Sequence, residues 1–141
     1  MSKLTPLYKL GRAAEYRPKI VCLCGSTRFE AEFREVERTE TLGGSIVLSC
    51  GLFKDGLARM APEVAEAFKP MLDDLHLHKI VMADEVFVVN PGGYVGESTR
   101  REIAFAKSLG RPIRWWTVPF GEVSSWALES GAVYREVGGD L

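Results

Sequence analysis

The stretch Lys19-Ile20-Val21-Cys22-Leu23-Cys24-Gly25-Ser26-Thr27-Arg28 sets the fold. From Ile20 to Cys24 it is apolar without alternation, the pattern of a short strand covered on both faces. Gly25-Ser26-Thr27 breaks the run, and a helical pattern follows at once. Phe29, Phe33 and Val36 fall on one stripe, with Glu30, Arg34, Glu37 and Arg38 opposite. Gly43-Gly44 stops that helix, because glycine accepts the left-handed backbone a helix end favours. Strand, glycine turn and helix make half of a βαβ unit, and the alternation continues along the chain. Ser45 to Ser49 (SIVLS) reads as a second strand and Cys50 to Ala61 as a loop with two glycines. Pro62 to about Ala83 reads as helix, interrupted near Pro70, which removes a backbone donor. Glu85 to Val89 reads as a third strand closed by Asn90-Pro91-Gly92-Gly93, and a helix from about Thr99 to Leu109 ends at Gly110. Pro112 to Val118 (PIRWWTV) reads as a fourth strand. The expected fold is a Rossmann-like or flavodoxin-like three-layer α/β sandwich with a four- to five-stranded parallel sheet. Residues 1–18 read as an N-terminal arm and 19–141 as a single domain, with a short helix around Trp126.

Bulk properties narrow the function classes. The 141 residues, 46% hydrophobic and 26% charged, suit one globular domain with a real core. A net charge of −1 supplies no positive field to hold a nucleic-acid duplex. The apolar runs Ile20 to Cys24 and Val86 to Val89 are far shorter than the ~20 residues of a membrane span. Lys3, Lys9 and Arg12 are followed by no apolar segment, so no secretory signal is expected. Cys22, Cys24 and Cys50 cannot pair evenly and show no zinc-type spacing, which predicts a reduced, cytoplasmic protein without a metal.

In an open parallel sheet, ligands bind outside the carboxyl ends of the strands at the point where strand order reverses. That selects two loops. In the first, Gly25 allows close backbone approach, Ser26 and Thr27 offer hydroxyls, and Arg28 can fork onto a phosphate near a helix N-terminus. The structural alternative is that Ser26 or Thr27 caps the helix and Arg28 is merely solvated. The loop is neither a GxGxxG dinucleotide loop nor a P-loop, which counts against NAD and ATP, and no cofactor is expected.

The second loop runs from Asn90 through Gly92, Gly96 and Ser98 to Thr99 and feeds a helix whose first turn is read as holding Glu102. At about 100° per residue, Phe105, Ala106 and Leu109 share the face of Glu102, whereas Arg100 and Lys107 point away. Glu102 therefore lies on the sheet-facing stripe at the ligand end, where a lone buried charge is costly unless it is paired or functional. The alternative is a capping box between Thr99 and Glu102. On the preceding helix His76 falls on the inward face, where a lone histidine is usually a satisfied core residue. Asp73 and Asp74 are read as opening that helix. His78 points away, and Asp84 sits at the opposite end of the sheet as a structural residue. Trp115 and Trp116 alternate faces and read as packing.

With both loops placed, residues 19–118 resemble the nucleoside 2-deoxyribosyltransferase superfamily. Cys24-Gly25-Ser26-Thr27-Arg28 is similar to the phosphate loop of the 2′-deoxynucleoside 5′-phosphate N-hydrolases, in which serine and arginine hold the 5′-phosphate. Ala83-Asp84, a strand, a glycine-rich loop and Glu102-Ile103 resemble the family segment whose glutamate is the nucleophile. Pro91-Gly92-Gly93-Tyr94 through Ser98-Thr99 and Glu102 is also similar to a motif of the LOG phosphoribohydrolases. Two departures stand out. Phe29 replaces a glycine, and the family's helix aspartate aligns with His76, so that His76, Asp73 or Asp74 would serve as the acid.

The resemblance implies cleavage of the N-glycosidic bond of a (deoxy)nucleoside 5′-monophosphate. Glu102 would be the nucleophile, Ser26, Arg28, Ser98 and Thr99 the phosphate holders, and Asn90 and Gly92 contacts to sugar or base. Base exchange, or nucleotide sensing without turnover, are the alternatives. A small-molecule nucleotide is the expected partner, with no nucleic acid or membrane, and the resemblance implies a homodimer.

Overall fold

The computed structural model describes residues 17–116. Within them run β1 (Ile20–Gly25), α1 (Glu30–Leu42), β2 (Ile46–Leu48), α2 (Lys54–Ala58), α3 (Pro62–Met82), β3 (Glu85–Val89), a 3-10 turn (Pro91–Gly93), α4 (Glu97–Ser108) and β4 (Ile113–Trp115). The four strands are parallel in the order β2-β1-β3-β4. This is the flavodoxin-type order, and it reverses between β1 and β3. The arm before residue 17 and the helix expected around Trp126 lie outside the described residues.

The side-chain period of two divides β1 and β3 between two layers. Cys22, Cys24, Val86 and Val88 meet Ile80, Ile103 and Ala106 of α3 and α4. Val21, Leu23 and Val89 meet Phe33 and Val36 of α1, together with Phe53. Nearly all of these side chains are fully buried. Each contributes roughly 1.5–3 kcal/mol over exposure, which favours a central strand apolar on both faces. Trp115 packs against the first layer and Trp116 against the second, as their alternation requires.

Of the three helices that return the chain to the sheet, α1 and α4 end on glycine, and α3 ends at Ala83. After α1, Gly44 takes φ +90, its N–H donates to Thr41 O, and the Ser45 N–H donates to Glu40 O. After α4, Gly110 takes φ +71, and the N–H groups of Gly110 and Arg111 donate to Lys107 O and Ala106 O. These are the paired bonds that satisfy the last helical carbonyls.

Two expectations need correction. The segment after β2 is not all loop, because α2 forms in it. Pro70 does not interrupt α3, which runs unbroken through 21 residues. Pro70 is exposed, and the buried His76 and Ile80 anchor the helix beyond it, so one missing N–H bond is tolerated. Asp73 and Asp74 consequently sit in the middle of α3 and do not open a helix.

At the amino end of the sheet Asp84 ties the start of β3 to the stretch that leads into β1. It accepts from the Ile20 N–H at 2.8 Å and from both terminal nitrogens of Arg17 at 2.9 and 3.0 Å. These bonds, the Arg17 pair foremost, hold its carboxyl down at about 2. Because the folded value lies below the unfolded one, the stabilisation is complete above the ordinary carboxylate range and fades as pH falls toward 2. Asp84→Asn is expected to lower the thermal midpoint at neutral pH. It should also flatten the midpoint's fall between about pH 5 and pH 2 relative to wild type, as read by calorimetry.

Candidate active site

The switch point between β1 and β3 opens into a cavity of about 470 Å³, within the usual range for small-molecule sites. One wall comes from Gly25, Ser26 and Thr27 after β1. Another comes from Tyr94, Gly96 and the first turn of α4, and α3 supplies Leu72, Asp73 and His76. Glu102 of α4 completes the wall beside His76. Cys50, Leu52 and Leu57 make an apolar side that includes α2, in a segment expected to be loop.

Glu102 lies in the second turn of α4, not the first. The helix starts at Glu97 with Gly96 as its N-cap and no side-chain cap, so the Thr99–Glu102 capping box does not form. Glu102 instead faces inward, its side chain 16% exposed, with Oε1 3.9 Å from His76 Nε2. Burial raises the Glu102 pKa against the opposing influence of His76. Burial alone would lower His76. Its hydrogen bond to Cys22 and the charge of Glu102 outweigh that and hold its pKa above the ordinary value.

Beneath this pair lie two thiols. Cys24 Sγ is 3.4 Å and Cys22 Sγ 3.7 Å from His76 Nε2. The hydrogen bond from Cys24, helped by His76, brings Cys22 down to about 6. Cys24, fully buried and bonded to Cys22, is pushed up. Zinc-type sequence spacing misses this cluster, because its histidine comes from a different element. The available signal was two cysteines two apart on one strand face, opposite the inward stripe of α3.

The phosphate-loop candidates separate. Ser26, Thr27 and Arg28 form a turn closed by the Phe29 N–H donating to Ser26 O at 3.1 Å. α1 begins at Glu30 with Phe29 as N-cap and no side-chain cap, so neither hydroxyl caps it. Ser26 Oγ accepts from Arg28 N–H and Nε at 3.3 and 3.1 Å, which leaves its own hydrogen to donate. Arg28 stands exposed outside the cavity wall, its guanidinium 4.2 Å from the Tyr94 ring centre. The helix N-terminus that reaches the cavity belongs to α4, where the N–H groups of Glu97, Ser98 and Thr99 lack intrahelical acceptors.

The remaining candidates divide the same way. Gly96, Ser98 and Thr99 line the cavity, whereas Asn90 and Gly92 do not. Asn90 is buried, and its Oδ1 has no hydrogen-bond partner among the described residues. Gly92 and Gly93, with φ of 67 and 82, shape the turn that delivers Tyr94. Asp73 lines the wall with its carboxylate paired to Lys69 at 2.9 Å. Asp74 and His78 lie exposed beside each other, 3.5 Å apart. Tyr94, Glu66 and Lys69 are wall residues that the sequence did not single out.

Compared with known proteins, the chain matches no family model, and no curated protein matches it.

Gly25 is fixed by contact. A Cβ there would sit 2.5 Å from the carbonyl oxygen of Val89, a backbone atom that cannot turn aside. Gly25→Ala is therefore expected to cost on the order of 1–3 kcal/mol in urea unfolding, since β1 and β3 must separate where the cavity opens.

Proposed function

We propose that the protein hydrolyses the N-glycosidic bond of a (deoxy)nucleoside 5′-monophosphate, with Glu102 as nucleophile. The observation that carries this is a half-buried, inward-facing carboxylate beside a histidine, in a cavity whose other walls offer hydroxyls and unsatisfied N–H groups. An isolated buried carboxylate is costly, and a site that develops positive charge in its transition state makes use of one.

In this reading the 5′-phosphate lies against Ser26, Ser98, Thr99 and the first-turn N–H groups of α4, with Arg28 approaching from the rim. Tyr94 and the leucines of α2 and α3 face the base. As the bond between base and C1′ breaks, its electron pair leaves with the base. Glu102 stabilises the oxocarbenium-like sugar and forms an ester at C1′. His76 or Asp73, the titratable neighbours of Glu102 in the same wall, serves the departing base with a proton. Water then cleaves the ester, giving sugar 5-phosphate and restoring the carboxylate. Phosphate contacts remote from C1′ position the reacting carbon.

The test is chromatography of a panel of nucleoside monophosphates after incubation with the full chain. Free base and sugar 5-phosphate are expected, even with a second free base in excess. Glu102→Gln should lower base release on the order of 10³-fold or more while far-ultraviolet circular dichroism stays unchanged. Release within tenfold of wild type would overturn the assignment, and binding without turnover by wild type would make the protein a sensor.

Arg28→Ala separates phosphate recognition from a structural role. It should weaken a monophosphate ligand by about 1.5–3 kcal/mol, the scale of a charge-assisted bond, and leave the corresponding nucleoside nearly unaffected in calorimetric titration. Equal losses would show that Arg28 acts only through its stack on Tyr94.

A further inference from the structure

We infer that Cys22, Cys24 and His76 bind one thiophilic divalent cation, zinc foremost, in the floor of the cavity. The three donor atoms all lie within 4.8 Å of one another and all three residues are buried. With Zn–S near 2.3 Å and Zn–N near 2.0–2.1 Å, a tetrahedral ion separates sulfur from nitrogen by about 3.5 Å. The two sulfurs stand 3.4 and 3.7 Å from His76 Nε2, so the sulfur–nitrogen separations required by the ion already exist. Two thiolates and an imidazole form a donor set suited to a borderline-soft ion and poorly suited to magnesium or calcium.

The backbone supports the same reading. Cys22 and Cys24 alternate with Val21 and Leu23 on β1, so their side chains project side by side from one face. Residues two apart on an extended strand have Cα atoms about 6.6 Å apart. That lies near the outer limit for a disulfide, whereas one ion bridges the pair without strain. The access route is the cavity itself, since His76 forms part of its wall. The fourth position lies on the side of Glu102, whose Oε1 is 3.9 Å from His76 Nε2, and takes a water, which leaves the carboxylate and Asp73 for the proposed reaction. Binding displaces two protons from the three ligands, one of them the Cys24 thiol proton and the other the proton shared by Cys22 and His76, and no electron transfer is involved.

The experiment uses the full chain, reduced, stripped with a chelator and titrated with cobalt(II) as an optical probe, followed by zinc. One cobalt per chain is expected. Its signature is a thiolate-to-metal charge-transfer band in the near ultraviolet with intense visible bands of tetrahedral geometry, bleached by one equivalent of zinc. Cys22→Ser and Cys24→Ser should each weaken binding by at least about tenfold and reduce the charge-transfer band. Glu102→Gln should retain it. Circular dichroism confirms that each variant is folded. If Cys24→Ser fails to fold, the wild-type spectrum and Cys22→Ser still decide. Absence of a charge-transfer band in wild type, or an unchanged band in folded Cys22→Ser, overturns the inference. Base release plays no part in this readout, so the site stands or falls separately from the proposed reaction.

Discussion

The parallel pairing of β1 with β3 is the constraint on which the molecule depends. Five residue pairs run from Val21 beside Glu85 to Gly25 beside Val89. The last of them is so close that only glycine fits on β1. That register settles which residues of each strand meet α3 and α4 and which meet α1. It also brings the loop after β1 and the loop after β3 to one place. A slip by one residue would exchange Cys22 and Cys24 for Val21 and Leu23 and remove both sulfurs from His76. Packing and chemistry thus rest on one backbone contact.

The electrostatics of the cavity floor follow from crowding titratable groups into that layer. Glu102, His76, Cys22 and Cys24 lie in one chain of contacts among otherwise apolar neighbours such as Ile80, Ile103 and Val88. Glu102 and His76 line the cavity and the two thiols lie buried behind them, so each group's charge depends on the others. Glu102 supports a proton on His76, His76 supports charge on Cys22, and charge on Cys22 opposes charge on Glu102 and Cys24. A cation among these groups would therefore be favoured by all of them. A protonated imidazole meets that demand at one position only, and a bound metal ion meets it for both sulfurs at once.

Much of this was legible in the sequence because it depends on local pattern. The apolar run from Ile20 to Cys24, the stripe of Phe33 and Val36, and the glycines at 44 and 110 each act over a few residues. Placing Glu102 on an inward face needed only the helical period. What escaped depends on contacts between distant segments. The start of α4 at Glu97 has no capping side chain to announce it, since Gly96 stands at the N-cap. α2 forms against the Ser26–Arg28 turn, with the Lys54 N–H donating to Thr27 O at 3.2 Å, and no periodicity in five residues reveals it. The uninterrupted course of α3 through Pro70 reflects anchorage on the sheet. The meeting of Cys22 and Cys24 with His76 requires the crossover itself.

The divided phosphate loop has a physical explanation in the same terms. Sequence spacing assigned the anion to the helix after β1, but the turn at Thr27 and Arg28 intervenes and α1 starts beyond it. Phe29 at the N-cap turns edge-on to Tyr94, their ring centres 5.8 Å apart, while Arg28 lies over the other part of that aromatic wall. The bulk of Phe29 thus spends the N-terminus of α1 on packing, and the unsatisfied N–H groups facing the cavity come from α4. Glu102 extends from that same helix. A ligand anion held at the first turn of α4 would therefore share a rigid element with the carboxylate one turn further on. Their separation would be fixed by helical rise and not by the conformation of a loop.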